Sequence, residues 1–192
     1  DGLSGDVKAD QASGKVTWYR DTETIDLDFA KLELKRILSA KKSSNSNIAG
    51  DDIGIPITLK LKVDEFTNQF GKLGKIKLSI SSKPELKTWF VRDLSMFSDD
   101  FQLFASGFWK IVEDPKSFPL PYGERTEVGE TLKVTEMNFR LETDNIQALM
   151  DKVNYPGLFG QAEGILSGQL AWAGNPLNFN LENMYGGVYV DI

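Results

Sequence analysis

The side chains of this chain that could do chemistry are carboxylates. Asp51 and Asp52 are adjacent, as are Asp99 and Asp100, while Asp26 and Asp28 share one face of an alternating segment. Two convergent carboxylates suffice for glycoside hydrolysis, one as acid and the other as base or nucleophile. Each pair also has a plainer reading, because Asp is a turn residue and alternating Asp residues make a solvated strand face. The chain has 0 His and 0 Cys, which removes the commonest general base, thiol nucleophiles, disulfides, and imidazole or thiolate metal sites. It contains neither an Asp-x-Asp-x-Asp-Gly calcium loop nor a Gly-x-x-x-x-Gly-Lys-Ser/Thr phosphate loop. Gly157, Gly160 and Gly164 lead into a strand pattern, not a helix, so they read as turn residues and not as a dinucleotide site. Trp18, Trp89, Trp109 and Trp172 have the rings to stack on sugars, but each keeps phase with aliphatic neighbours and reads as packing. These residues predict no enzyme, no metal and no cofactor.

Charge narrows the partners. Lys and Arg total 22 against 28 acidic residues, a net charge of −6, which opposes nucleic-acid binding because that needs a basic face. No run of about 18 apolar residues offers a membrane-spanning helix. The chain starts at Asp1, not Met, and still alternates at Val188, Val190 and Ile192, so we read it as a segment of a longer protein.

The elements that must position these residues are strands. Ile57-Thr58-Leu59-Lys60-Leu61-Lys62-Val63 alternates aliphatic with polar, and Lys75-Ile76-Lys77-Leu78-Ser79-Ile80 repeats the pattern after Gly71 and Gly74. Leu166, Gly168, Leu170 and Trp172 form another alternating set, followed by Leu177, Phe179 and Leu181, then Val188 and Val190. Two segments change phase. Ile25, Leu27 and Phe29 give way to Leu32 and Leu34, and Leu132 and Val134 give way to Met137, Phe139 and Leu141. Both slips predict bulges that bend a sheet. Trp89–Met96 and Phe101–Trp109 are apolar on both faces, which predicts cover on both sides.

Helix signals are short. Thr143, Asp144 and Asn145 offer caps before Ile146, Leu149, Met150 and Val153, and Pro156-Gly157 stops the pattern, which places a helix over Asp144–Val153. Asp64, Phe66 and Phe70 suggest one further turn. Residues 40–52 and 113–129 read as loops. The expectation is a mainly β chain of about nine to eleven mostly antiparallel strands. Pattern alone leaves open whether its apolar face closes a sandwich or lines an open groove.

Two stretches carry a family resemblance. Gly164-Ile165-Leu166-Ser167-Gly168-Gln169-Leu170-Ala171-Trp172-Ala173-Gly174-Asn175-Pro176-Leu177-Asn178-Phe179-Asn180-Leu181, running on to Met184-Tyr185-Gly186-Gly187-Val188-Tyr189-Val190, is the first. The second starts at Ile55-Pro56-Ile57 and continues through Leu73-Gly74-Lys75 and Trp89-Phe90-Val91 to Ala105-Ser106-Gly107-Phe108-Trp109. In this order, with the short helix and Tyr155 behind it, they resemble the YhdP branch of AsmA-like proteins, well over residues 50–192 and loosely over 1–40. Position 187 departs, with Gly where the pattern has an aliphatic nearby.

The resemblance implies a curved antiparallel sheet forming an open groove, with initial strands in 1–39, a flexible loop in 40–52 and an AsmA-like core in 53–192. It implies a non-enzymatic segment of a periplasmic protein anchored in the inner membrane of a diderm bacterium. Such a protein conducts phospholipids between inner and outer membranes, its partners being phospholipid acyl chains and, through other parts of the protein, the two membranes. The lining expected on that basis is Ile57, Leu59, Leu61, Ile76, Leu78, Ile80, Leu166, Leu170, Trp172, Leu177, Phe179, Leu181, Val188 and Val190. The short helix is expected to cap one end. The alternatives are a non-conducting structural sandwich of the cell envelope and, third, a carboxylate glycosidase.

Overall fold

The computed structural model describes residues 1–34, 57–68, 71–112, 132–152, 162–174, 176 and 184–191. Ten strands follow one another along the chain: β1 (Gly2–Ala9), β2 (Ala12–Tyr19), β3 (Thr24–Glu33), β4 (Thr58–Asn68), β5 (Gly71–Lys83), β6 (Thr88–Phe97), β7 (Phe101–Val112), β8 (Leu132–Thr143), β9 (Gly164–Ala173) and β10 (Met184–Asp191). They form one sheet in sequence order, open at both edges because β1 and β10 each pair with a single neighbour. The helical pieces are α1 (Ile146–Lys152) and a 3-10 turn at Pro84–Leu86.

Alternation explains why the segments are strands, and pairing shows what the pattern is for. Leu59, Leu61 and Val63 of β4 lie opposite Ile80, Leu78 and Ile76 of β5, so each strand turns its aliphatics to one side and its Lys, Ser and Thr to the other. Phe29, Val63 and Ile76 are buried at the centre of this side, with Val7, Val16, Leu61, Phe66, Leu94 and Met96 packed around them. Val63 is only 1% exposed, although no second sheet covers this side among the described residues. Toward the edges exposure climbs, to 71% at Leu3 and 48% at Val190. Side chains in the middle of this side are thus withdrawn from solvent, and those toward its edges are not.

Three details depart from a simple reading of the pattern. The first leaves the mostly antiparallel expectation standing: β3 and β4 run parallel, with Ile25 opposite Leu59 and Phe29 opposite Val63, while every other pair is antiparallel. The second concerns Asp64 and Phe66, which belong to extended β4 and not to a helical turn. Val63 faces Ile76 and Phe66 faces Gly74, so β4 spends one extra residue there, a bulge that returns Phe66 to the apolar side. Phe70 lies outside the described residues.

The third, a correction like the second, is the slip in β8. At the β3 slip the predicted bulge is present, since Gly14 faces Phe29 while Ser13 faces Lys31, leaving Ala30 over. In β8 the register runs unbroken from Leu132 opposite Val112 to Thr143 opposite Phe101. No residue is extra, so the apolar side chains change sides instead: Met137, Phe139 and Leu141 face the apolar side, Leu132 and Val134 the other. The expected loops at 40–52 and 113–129 lie outside the described residues.

Candidate functional site

Following the register from strand to strand resolves the apolar side into rows. One row runs Val7, Gly14, Phe29, Val63, Ile76, Met96, Leu103, Leu141, Leu166 and Val190. The next runs Gly5, Val16, Leu27, Leu61, Leu78, Leu94, Ala105, Phe139, Gly168 and Val188. A third joins Leu3, Trp18, Ile25, Leu59, Ile80, Val91, Gly107, Met137, Leu170 and Gly186. Each crosses all ten strands without a polar or charged side chain. At roughly 4.8 Å between strands, the track is about 40 Å long measured across the sheet.

Bulges keep the rows in step. The one in β3 and the one in β4 fall beside each other, so Leu32 still faces Phe66 after both. In β6, Leu94 faces Ala105 and Val91 faces Gly107, so an extra residue at Arg92–Asp93 returns Val91 to the row. Without these insertions every residue beyond them would point to the wrong side.

Of the residues expected as lining, Leu59, Leu61, Ile76, Leu78, Ile80, Leu166, Leu170, Val188 and Val190 all lie in these three rows. Trp172 stands in a fourth row with Ser82, Trp89, Trp109, Thr135 and Met184. Ile57 immediately precedes β4; its N–H donates to Ser82 Oγ at 2.8 Å and its carbonyl accepts from the Ser82 N–H at 2.9 Å, tying it to the same end of the sheet. Leu177, Phe179 and Leu181 lie outside the described residues. The rows also contain residues that were not singled out beforehand, among them Phe29, Val63, Met96, Leu103 and Phe139. Their signal was present, as alternation within each strand, but only pairing shows that the strands' apolar sides coincide.

The margin of the track opposite the fourth row is occupied by α1. The Asn145 side chain caps it, accepting from the Ala148 N–H at 3.0 Å, as the Thr143–Asn145 signal predicted. Thr143 donates its hydroxyl to the Asp100 carbonyl at 2.8 Å and accepts from the Asn145 N–H at 3.1 Å, which fastens the helix start to the β6–β7 turn. Ile146 (1% exposed) and Leu149 are buried. Gly164, the first residue of β9, leaves room for Ile146, whose Cδ1 would be 2.7 Å from any Cβ placed there.

The outer side is polar over β1 to β5. Asp28 and Lys62 are cross-strand partners at 3.3 Å, with Asp64 a further 3.7 Å neighbour of Lys62, and this holds the Lys62 ammonium above its usual pKa. Asp26 sits opposite Lys60 on the same outer side. Asp28 and Asp64 serve a solvated charged surface, as the plainer reading had it, whereas Asp26 has one carboxylate oxygen buried without a hydrogen-bond partner among the described residues. Asp99 and Asp100 form the β6–β7 turn, and Asp51 and Asp52 lie outside the described residues. Among the described residues no group of three or more acidic side chains could hold a metal ion.

On β6 and β7 the outer side carries Phe90, Phe97, Phe104 and Phe108. Cations cover part of it: Arg92 lies 4.7 Å and Lys83 5.6 Å from the Phe90 ring centre, and Lys110 lies 5.3 Å from that of Phe108. Phe97 and Phe104 meet edge to face at 5.6 Å and remain exposed. Cover on both sides of these two strands is therefore partial.

A family model described as YhdP protein matches residues 1–192, and the YhdP family is not known as an enzyme family. No curated protein and no solved structure matches the chain. Matched over its whole length, the chain belongs to the YhdP family.

Proposed function

We propose that this chain is a section of a lipid-conducting β-groove, in which phospholipid acyl chains pass along the apolar rows between inner and outer membranes of a diderm bacterium. Its place is the periplasm, as part of a protein anchored in the inner membrane. The observation that carries this reading is the set of three rows free of polar side chains on one side of an open sheet. Burying hydrocarbon is worth about 0.8 kcal/mol per CH₂, so an acyl chain crossing water needs a lining without gaps. An acyl chain spans half of a ~30 Å hydrocarbon core. A track of about 40 Å across the strands therefore exceeds one chain length, as a path requires and a single closed pocket does not.

No side chain has to react, so the absence of His and Cys costs this function nothing. The headgroup can stay at the open mouth, in water. Family membership supports the lipid-transport context. A closed sandwich needs a second sheet facing the first, and the described strands form one sheet. Native mass spectrometry of the intact protein, purified gently from cells, tests occupancy: phospholipid-sized adducts are expected, and a spectrum free of lipid contradicts the proposal.

A further inference from the structure

The fourth row differs from the three beside it. It reads Ser82, Trp89, Trp109, Thr135, Trp172 and Met184, so hydroxyls and indoles replace aliphatic side chains along one margin of the apolar track. Tryptophan with hydroxyl neighbours is the composition of a boundary between hydrocarbon and polar groups, since the ring is apolar and its N–H needs an acceptor.

Within this row the hydroxyls are already engaged. Thr135 donates to the Gly174 carbonyl at 2.8 Å, and Ser82 Oγ accepts from the Ile57 N–H. Two donors are not. Nε1 of Trp89 and Nε1 of Trp109 are both buried with no hydrogen-bond partner among the described residues. The two residues are direct cross-strand partners, which puts their Cβ atoms about 5 Å apart on the same side. A buried indole N–H without an acceptor is costly, so a matched pair along the margin of an apolar track calls for an acceptor from outside the described residues.

We infer that Trp89 and Trp109 receive the acyl-ester carbonyl oxygens of a lipid whose chains lie along the apolar rows, an inference that rests on the groove reading above. The acceptor is neutral. Trp89 and Trp109 face apolar and hydroxyl neighbours; of the cations nearby, Lys83 and Lys110 face the outer side, where Lys110 lies over Phe108, while Lys133, opposite Ile111 and two residues before Thr135, shares the side of the indoles and already has a partner. The fourth row itself holds no cation, so a phosphate in it would lack a charge partner within the row, whereas an ester carbonyl asks only for a donor. Both indoles keep part of their surface exposed, although each N–H is itself buried.

The test uses the intact protein, stripped of lipid and reloaded with either a diester phospholipid or its diether counterpart of the same headgroup and chain length. Retained lipid is then counted by native mass spectrometry. The wild type retains the diester about tenfold better, as expected from two hydrogen bonds. The double variant Trp89→Phe, Trp109→Phe keeps the rings, loses that preference and still retains the diether. Its lipid-free melting temperature is equal to or above that of the wild type, because the unpartnered donors are gone; this establishes that it folds. Equal retention of both lipids by the wild type, or a preference that survives in the folded double variant, overturns the inference and leaves the groove reading standing. Failure of the wild type to retain either lipid overturns the groove reading and the inference with it.

Discussion

Tyr185 illustrates how a single residue on the outer side reports on the fold. Burial, reinforced by the negative charge of Glu136 across the strands, pushes its phenol up to about 12 from an ordinary value of 10.0. Between these values the unfolded chain gives up the proton and the folded chain keeps it. The stability contributed is complete below pH 10, and it is lost as the pH rises through about 12. Tyr185→Phe removes the titrating group. Its denaturation midpoint should fall less between pH 10 and 12 than that of the wild type, and an identical slope for both proteins would show that Tyr185 does not carry the effect. Next to it, Gly186 has φ of 144° and a Cβ would strike the Gln169 carbonyl, so only glycine fits. Gly187, the position that departs from the family pattern, has nothing within 4 Å of a Cβ and tolerates a side chain. No sequence signal distinguishes the two glycines, because the distinction lies in how closely the neighbouring strand approaches. The unpartnered donors of Trp89 and Trp109 were equally illegible: their phase with aliphatic neighbours was readable, but not what each N–H meets.

At the scale of elements, strands and the helix were legible because both have short periods. Leu59, Leu61 and Val63 announce β4 by alternation, and Asn145 with Ile146 and Leu149 announces α1 by a cap and helical spacing. Phase slips were ambiguous. The same one-residue shift marks a bulge in β3, where Ala30 is extra, and a change of sides in β8, where nothing is extra. Partner strands decide between them, and a single strand's sequence does not contain its partner. The parallel pairing of β3 with β4 was hidden for a similar reason, since alternation has period 2 in both kinds of sheet. Its one clue was the length of the polar stretch after Leu34: hairpins close with a few residues, whereas parallel strands need a crossover of a dozen or more. The helix carries its own test. Ile146 is buried over Gly164 and holds α1 against the sheet, so Ile146→Ala should cost about 2–4 kcal/mol. Chemical denaturation measures this directly; a loss under about 0.5 kcal/mol, the range of ordinary surface substitutions, would mean that the helix is not docked there.

At the scale of the whole molecule, what the sequence shows strand by strand becomes a function only when the strands are laid side by side. Alternation predicted an apolar face on each, and the resemblance to the YhdP branch predicted a groove. The continuity of the rows follows from register, which depends on bulges in β3, β4 and β6 that keep later residues on the correct side. Both edges of the sheet are open, and its apolar side grows more exposed toward them, at Leu3 and at Val188 and Val190. The most direct test of a lipid path places photocrosslinking amino acids singly along the track and opposite it in the intact protein. Probes at Leu59 and Leu170, which share one row at distant strands, should capture phospholipid in cells, whereas a probe at Lys60, one residue from Leu59 and on the outer side, should not. Lipid capture at Lys60 equal to that at Leu59 and Leu170, or none at any of the three, would contradict conduction along this face.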